Sequence, residues 1–496
     1  MRRIIACIMA LMLLMFSFAH AENAFSMAGC DSADIGHVWE DNLFFSRMEE
    51  KTGVHFAFQQ YTDKTEWQQK KTDMFATGAL PDVFFKADLS VSETIRYYEA
   101  GQLIDLRPYL EENAPNLMAL LREHPDWEKA ITLPDGAIVA LPLFNELQNN
   151  NVMWINKTWL DNLGLQIPTT ADELMQVLIA FRDNDANRNG NLNDEIPLSV
   201  IGMWDLRFLG HAFGLVSNDF YLYTAEDGSI ATTLTMDENR AFLEWLHTMW
   251  AEKLMHRDTF INTDAVRMIT DEKAAITLGM YLAPTPLSLV PSSASTQYVA
   301  VNPLVYGDKQ SYRNTLGSVV RGTFAITSAC EDPATLVKWV DYLYTEEGSR
   351  LAQAGVEGTE YLFNSDGTWD YIAAIEEVSS TILPKATISD GGNMPGLLSR
   401  SFQVNFAHTE THRILGMVDE FTNYCVEPMP NVILTDDELA AISAVHNEIA
   451  LYAEDQMVYF VTGDIPLNDD TWADFCQTVN DKGIDTLISL WTEAVK

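Results

Sequence analysis

The sequence predicts an α/β protein organised as two or three domains or two large lobes, and three observations carry that expectation. The chain has 496 residues, and domains usually run to roughly 100–200. Hydrophobic residues make up 47%, with 12 Trp, 17 Tyr and 24 Phe; a disordered acidic chain is poor in aromatics, so this one folds around sizeable cores. From Cys30 onward, short apolar runs alternate with amphipathic stretches, the pattern of a sheet flanked by helices.

Taken in order, His55–Gln59 reads as a strand, Glu66–Thr77 as a helix, and Asp82–Phe85 as a buried strand after the break at Gly78 and Pro81. A second unit opens with the strand Val152–Asn156 and a turn of helix over Trp159–Gly164. Thr170 and Glu173 form a capping box, and Leu174, Val177, Leu178 and Phe181 then recur on one helix face as core residues. The tail is helical over Asp436–Tyr459 and Thr471–Lys496. No internal repeat appears, which argues against a solenoid.

The N-terminus addresses the chain for export. Arg2 and Arg3 precede an apolar run from Ile4 to Phe18, shorter than the roughly 20 residues of a bilayer span and suited to a secretory signal. Two processing sites stay open. Ala19-His20-Ala21 fits the small-x-small rule and would define residues 1–21 as the signal peptide; Met27-Ala28-Gly29-Cys30 has the form of a lipobox, which would remove 1–29 and lipidate Cys30. The remaining cysteines, Cys330, Cys425 and Cys476, are too widely spaced for a disulfide scaffold or a zinc site and read as free thiols.

Lys and Arg number 31 against 71 Asp and Glu, a formal charge of −40. That balance excludes nucleic acid and disfavours anionic membranes as partners, because both are bound by clustered cations.

The most informative stretch is Asp185-Ala-Asn187-Arg-Asn189-Gly190-Asn191-Leu-Asn193-Asp194-Glu195. Oxygen-bearing side chains at positions 1, 3 and 5 with glycine at 6 suit Ca²⁺, which takes 6–8 oxygen ligands at about 2.4 Å. The predicted ligands are Asp185, Asn187, Asn189, the Asn191 carbonyl, Asp194 and Glu195, in a structural site. Ile196 stands where an EF-hand has its last carboxylate. Catalytic signals are thin: no Gly-x-Ser-x-Gly, His-Glu-x-x-His or phosphate-loop motif occurs. His408 and His412 could share a helix face, but Glu410 would point away from both and no third ligand is evident, so they read as a polar pair. Trp204-Asp205 and Phe144–Asn150 combine aromatic and amide groups in the way a sugar site does.

Several segments, in order, resemble the extracellular solute-binding proteins of carbohydrate ABC importers, in the large branch that carries a calcium loop. They are Glu49–Val54, Trp67–Val83, Gly101–Leu106, Trp154–Gly164, Asp194–Pro197, Asp341–Gly348 and Gly355–Gly358. Three features depart from the family pattern: the calcium loop is one residue longer, Asn156, Lys157 and Thr158 replace a basic residue followed by Asp, and the lipobox lies away from the apolar run.

The resemblance implies a two-lobed type II periplasmic-binding-protein-like fold with hinge crossovers and a helical C-terminal extension. The N-lobe would be 31–149 plus 306–344, and the C-lobe 151–304 plus 345–496, with the calcium loop at 185–195. It implies a monomeric, exported receptor on the outer face of the cell membrane or free beyond it. Such a receptor would hand an oligosaccharide to ABC permease subunits by hinge closure, without catalysis. Ligand residues would come from strand ends and crossovers: Asp88, Asn145, Asn150, Trp204, Tyr281 and Arg321. Two other readings stay open, a secreted calcium-dependent carbohydrate-active enzyme and a binder of peptides or sugar acids.

Overall fold

A computed structural model describes residues 24–31, 33–147, 151–261, 277–286, 290, 292–308, 310–313, 319–390 and 392–495. The predicted signal peptide, Asn149 and Asn150 lie outside them. The chain divides into two α/β units. One comprises the chain through Glu146, Ser318–Ala407 and Asn431–Thr435; the other comprises Leu147–Gly317, His408–Pro430 and Asp436–Lys496.

The first unit holds a six-stranded sheet in the order Gly396–Leu398, Ala140–Asn145, Val319–Ile326, Val83–Phe85, Ala24–Cys30, His55–Tyr61. Apart from the edge strand His55–Tyr61, its strands are largely buried on both faces, so successive side chains enter two cores. Met27, Phe85, Phe324 and Ile326 join Trp39, Phe44 and Trp339 on one side, while Ala28, Phe84 and Ala325 join Trp67, Phe75 and Tyr97 on the other. Asp63 caps helix Lys64–Thr77 by accepting from the Glu66 amide at 2.7 Å.

The second unit holds a four-stranded sheet in the order Tyr298–Val301, Val152–Asn156, Leu278–Ala283, Ile196–Ser199. Asn156 caps helix Lys157–Leu163, which ends at Gly164. Thr170 caps helix Ala171–Asp183 as expected, but Glu173 returns its carboxylate to Thr169 N and Oγ1 rather than closing the box on Thr170. Trp159 and Phe181 meet edge to face at 5.2 Å in this core.

Three expectations are corrected. Residues 345–407 belong to the first unit, because Leu351 and Ala352 of helix Glu346–Ala354 enter its core and Gly396–Leu398 pairs in parallel with Ala140–Asn145. Residues 306–317 fall in the second unit, where strand Tyr312–Arg313 pairs with Cys425–Val426. The last expected helix is two, Asp469–Asp481 and Ile484–Ala494, broken at Gly483, whose φ of 103° suits glycine.

Cys30 is the fourth correction. Ala24–Cys30 lies between His55–Tyr61 and Val83–Phe85, paired in parallel with both. Cys30 is 4% exposed, and a Cβ on Gly29 would stand 1.6 Å from the Phe85 carbonyl oxygen. The apparent lipobox is an interior strand whose glycine is required by sheet packing. Cleavage before Cys30 would delete that strand, and a lipid on Cys30 has no room. The four described cysteines are all free thiols.

Candidate functional site

In open α/β sheets, ligands gather beyond the carboxyl ends of the strands. At that end of the first unit's sheet, Asp31 is buried and accepts from Lys86 Nζ at 2.7 Å, from Trp39 Nε1 at 2.9 Å and from the His37 ring at 3.0 Å. Lys86 Nζ also reaches Asp390 at 3.0 Å. Burial would raise the Asp390 carboxyl, but Lys86 and the amides of Asn393 and Gly392 hold it below its ordinary value. Lys86 and Asp88 both adopt φ near +50°, a conformation unusual for these residue types that redirects the chain leaving the strand.

The predicted ligand residues of this unit lie near one another in topology. Asp88 follows strand Val83–Phe85, and Leu89 N donates to the Gly322 carbonyl beside Arg321. The Asp88 side chain is exposed and accepts from Gln68 at 3.0 Å. Asn145 ends its strand and accepts from Gln403 Nε2 at 3.0 Å. Arg321 is already engaged: its Nε donates to the Ala130 carbonyl and its Nη2 to Asn431 Oδ1 at 2.6 Å. Its guanidinium sits in a recess beside Val91, Ile131, Val139 and Ile433, where burial lowers its pKa.

In the second unit, the sheet's corresponding end carries Asn151, Val200 and helix Gly202–Leu209. Asp205 is buried and accepts from Ile201 N at 2.7 Å and from Asn151 Nδ2 at 2.9 Å. These bonds pin the first helical turn. Burial pushes the Asp205 carboxyl above its ordinary range, with the two bonds pulling the other way. Its neighbour Trp204 is 54% exposed, and the Arg207 guanidinium lies 3.8 Å from the ring centroid.

Arg207 Nη2 and Arg313 Nη1 both donate to one oxygen of Asp219, at 2.8 and 3.0 Å. His211 is buried beside them, and Arg313 N lies 3.3 Å from its Nδ1. Burial, together with Arg313 and Arg207, drives that imidazole well below its ordinary pKa, so it is neutral.

Tyr281 is a correction. It is 0% exposed, packs on Tyr298 at 5.1 Å and donates its hydroxyl to the Pro286 carbonyl at 3.2 Å. It is a core residue, because every residue of its strand Leu278–Ala283 is buried, on both faces.

The 185–195 loop folds over its own backbone. Asp185 accepts from the amides of Asn189 and Gly190, both at 3.0 Å; Asn187 accepts from Asn189 N at 2.9 Å and Asn189 from Asn191 N at 2.7 Å. Asp194 accepts from the Asn189 side chain at 2.7 Å, so the loop's two ends converge. Glu195 accepts from Ala186 N through Oε1, while its Oε2 is buried with no hydrogen-bond partner. Burial, with Asp194 adjacent, raises the Glu195 carboxyl. Among the described residues, no cluster of three His, Cys, Asp or Glu side chains could hold a metal; this loop's oxygens come largely from asparagine. Glu410 is engaged by Arg413 at 2.7 Å and Ser295 at 2.6 Å, and His412 is exposed.

The family model of bacterial extracellular solute-binding proteins matches residues 37–350, more than half of the chain. The chain belongs to that family. It is 26% identical over 478 residues, spanning 91% of this chain and 86% of the relative, to the fructooligosaccharide ABC transporter substrate-binding protein FusA of Streptococcus pneumoniae. An HMO-binding, ABC-transporter-associated solute-binding protein from Bifidobacterium longum infantis matches with a TM-score of 0.76 at 20% identity, over 95% of this chain and 98% of the other. The FusA EF-hand mutant in complex with fructo-nystose matches with a TM-score of 0.68 at 22% identity, over 94% and 97%. The fold of this solute-binding protein is accordingly the two-lobed type II architecture.

Sequence reasoning missed Lys86, Asp31 and Asp390, and it missed Arg207, Arg313 and Asp219. Lys86 and Asp31 directly follow buried strands, where the carboxyl-end rule would have pointed. Arg207 stands three residues after Trp204 and therefore on the same helix face.

Proposed function

We infer that this solute-binding protein is an exported receptor that captures an oligosaccharide and delivers it to an ABC importer. The observation that carries the reading is Trp204, an exposed ring held outward by the Asp205 anchor at a sheet end, in a chain whose relative FusA is named for fructooligosaccharides. Sugar rings present apolar C–H faces to aromatic rings, and amides and carboxylates take their hydroxyls. The protein acts as a monomer, binds without chemical change and closes about its hinge on binding. Among the described residues no helix is long and apolar enough to cross a membrane, which fits a receptor working outside one.

We also read the 185–195 loop as a structural calcium site. Support comes from the unpartnered, buried Glu195 Oε2, whose carboxyl is raised as a carboxylate without its counter-charge would be. Asp185, Asn187, Asn189, Asp194 and Glu195, with the Asn191 carbonyl, form the oxygen set a hard cation prefers. The relative FusA has a structure described as an EF-hand mutant.

Calorimetry against a panel of neutral and acidic oligosaccharides tests the receptor reading. Trp204→Ala is expected to weaken binding by about 1–3 kcal/mol, roughly 5- to 150-fold, with the melting temperature nearly unchanged. The radius of gyration should fall on ligand addition. Steady release of shortened sugars would replace the receptor by an enzyme.

A further inference from the structure

Arg207 and Arg313 are unusual in their surroundings. Their side chains are 19% and 10% exposed and share one carboxylate oxygen. Two largely desolvated guanidiniums facing one carboxylate are costly, and the Arg207 Nε–H is buried without a hydrogen-bond partner. Other neighbouring groups relieve them only in part. Neutral His211 supplies no charge. Glu454 accepts the Tyr221 hydroxyl at 2.7 Å, and Asp205, which feels the Arg207 charge through space, has its oxygens on Ile201 N and Asn151. Repulsion between the arginines contributes, behind burial, to a lowered Arg207 pKa.

Both arginines line a cavity of about 40 Å³, together with Met203, Ser217, Asn239 and Phe242. It has room for a few non-hydrogen atoms, not for a sugar ring. Arg313 is set rigidly, because the adjoining Tyr312 is wedged against His211 at 4.5 Å and Phe421 at 4.7 Å. Arg207 also covers one face of Trp204, which leaves the opposite face of that exposed ring for a sugar.

We propose that this cavity receives the carboxylate of an acidic sugar unit bound at this end of the sheet, with Arg207 and Arg313 as its clamp. The proposal rests on the receptor reading and narrows its substrate to uronic-acid oligosaccharides. A planar carboxylate matches the guanidinium fork in geometry and provides the second negative charge that Asp219 alone does not. Against the −40 charge of the chain, such a ligand can be held only by a local, low-dielectric cluster of this kind.

The test is calorimetry with galacturonate, glucuronate and mannuronate trisaccharides, each alongside its methyl ester, which keeps the ring and removes the charge. The native protein is expected to bind one of the acids at least tenfold more tightly than its ester. Arg207→Gln should abolish that preference, weakening the acid at least tenfold more than it weakens the ester. Asp219→Asn, which removes the competing carboxylate from a half-exposed position, should tighten the acid several-fold; this second variant keeps the test valid if Arg207→Gln does not fold. Equal or weaker binding of every acid relative to its ester, or a preference for neutral fructooligosaccharides, would overturn the acid clamp and leave the receptor standing. Binding of no acid and no neutral sugar would overturn both.

Discussion

If the chain were processed at Cys30, it would lose residues through Gly29, and the sheet allows the consequence to be sized. Seven residues pair with His55–Tyr61, from Ala24 with His55 to Cys30 with Tyr61. Met27 and Ala28 are fully buried, and emptying a buried methionine site costs about 2–5 kcal/mol. Ser26 N and Oγ both donate to Asp82 Oδ2 at 2.7 Å, and hydrogen bonds to a charged group contribute about 1.5–3 kcal/mol each. These terms alone reach about 5–11 kcal/mol, against a total stability of about 5–15 kcal/mol for a typical domain. A chain beginning at Cys30 should therefore fail to give a cooperative thermal transition by circular dichroism, while one beginning at Glu22 melts as a folded protein. The first residue of the exported protein, read by mass spectrometry, should precede Ala24. Equal melting of the two chains, or a lipidated Cys30 in the folded protein, would refute the sheet argument.

Chelation by EDTA should remove calcium stabilisation of about 2.7 kcal/mol at a hundredfold excess over Kd, lowering Tm by about 5–10 °C; Asp185→Ala should melt at the chelated temperature with or without calcium. An unchanged native Tm would reduce the loop to a polar turn. The folded-state pKa of Asp205 is raised above its unfolded value, so its proton-linked stability is fully present below about pH 3.9 and is lost as pH rises through the folded value. Asp205→Asn should flatten that part of the pH–stability curve, and an unaltered slope by urea titration would assign it to other groups. Tyr281→Phe removes a buried hydroxyl that donates to the Pro286 carbonyl, so denaturant titration should show a loss of about 1–3 kcal/mol with sugar affinity unchanged.

What was legible in the sequence was local. Strand His55–Tyr61, the Thr170 cap and the 185–195 loop each depend on residues a few positions apart, and all form where spacing places them. The unit boundary near Thr345 was not of that kind. Thr345 caps the next helix through the Gly348 amide at 3.0 Å, and that signal is the same whichever unit the helix joins. The choice is made by Leu351, Ala352 and the distant pairing of Gly396–Leu398 with Ala140–Asn145. The lipobox failed for the same reason, since Met27–Cys30 satisfies a short motif while its neighbours in the sheet, which the motif does not contain, give those residues another role.

The candidate site divides along the same line. Trp204 stands out because an aromatic beside a carboxylate is visible in two adjacent residues, and Arg207 follows at helical spacing. Asp219 and Arg313 are remote in sequence and meet Arg207 only because strand Tyr312–Arg313 is fixed by Tyr312 and by its pairing with Cys425–Val426. Tyr281 shows the converse: a strand tyrosine matches a ligand residue by type, yet its strand Leu278–Ala283 is buried along its whole length by elements elsewhere in the chain. A calcium loop carries its chemistry within one short stretch, whereas an arginine clamp is a product of tertiary structure. Its desolvation, which gives it selectivity for charge, exists only after the second unit has folded around it.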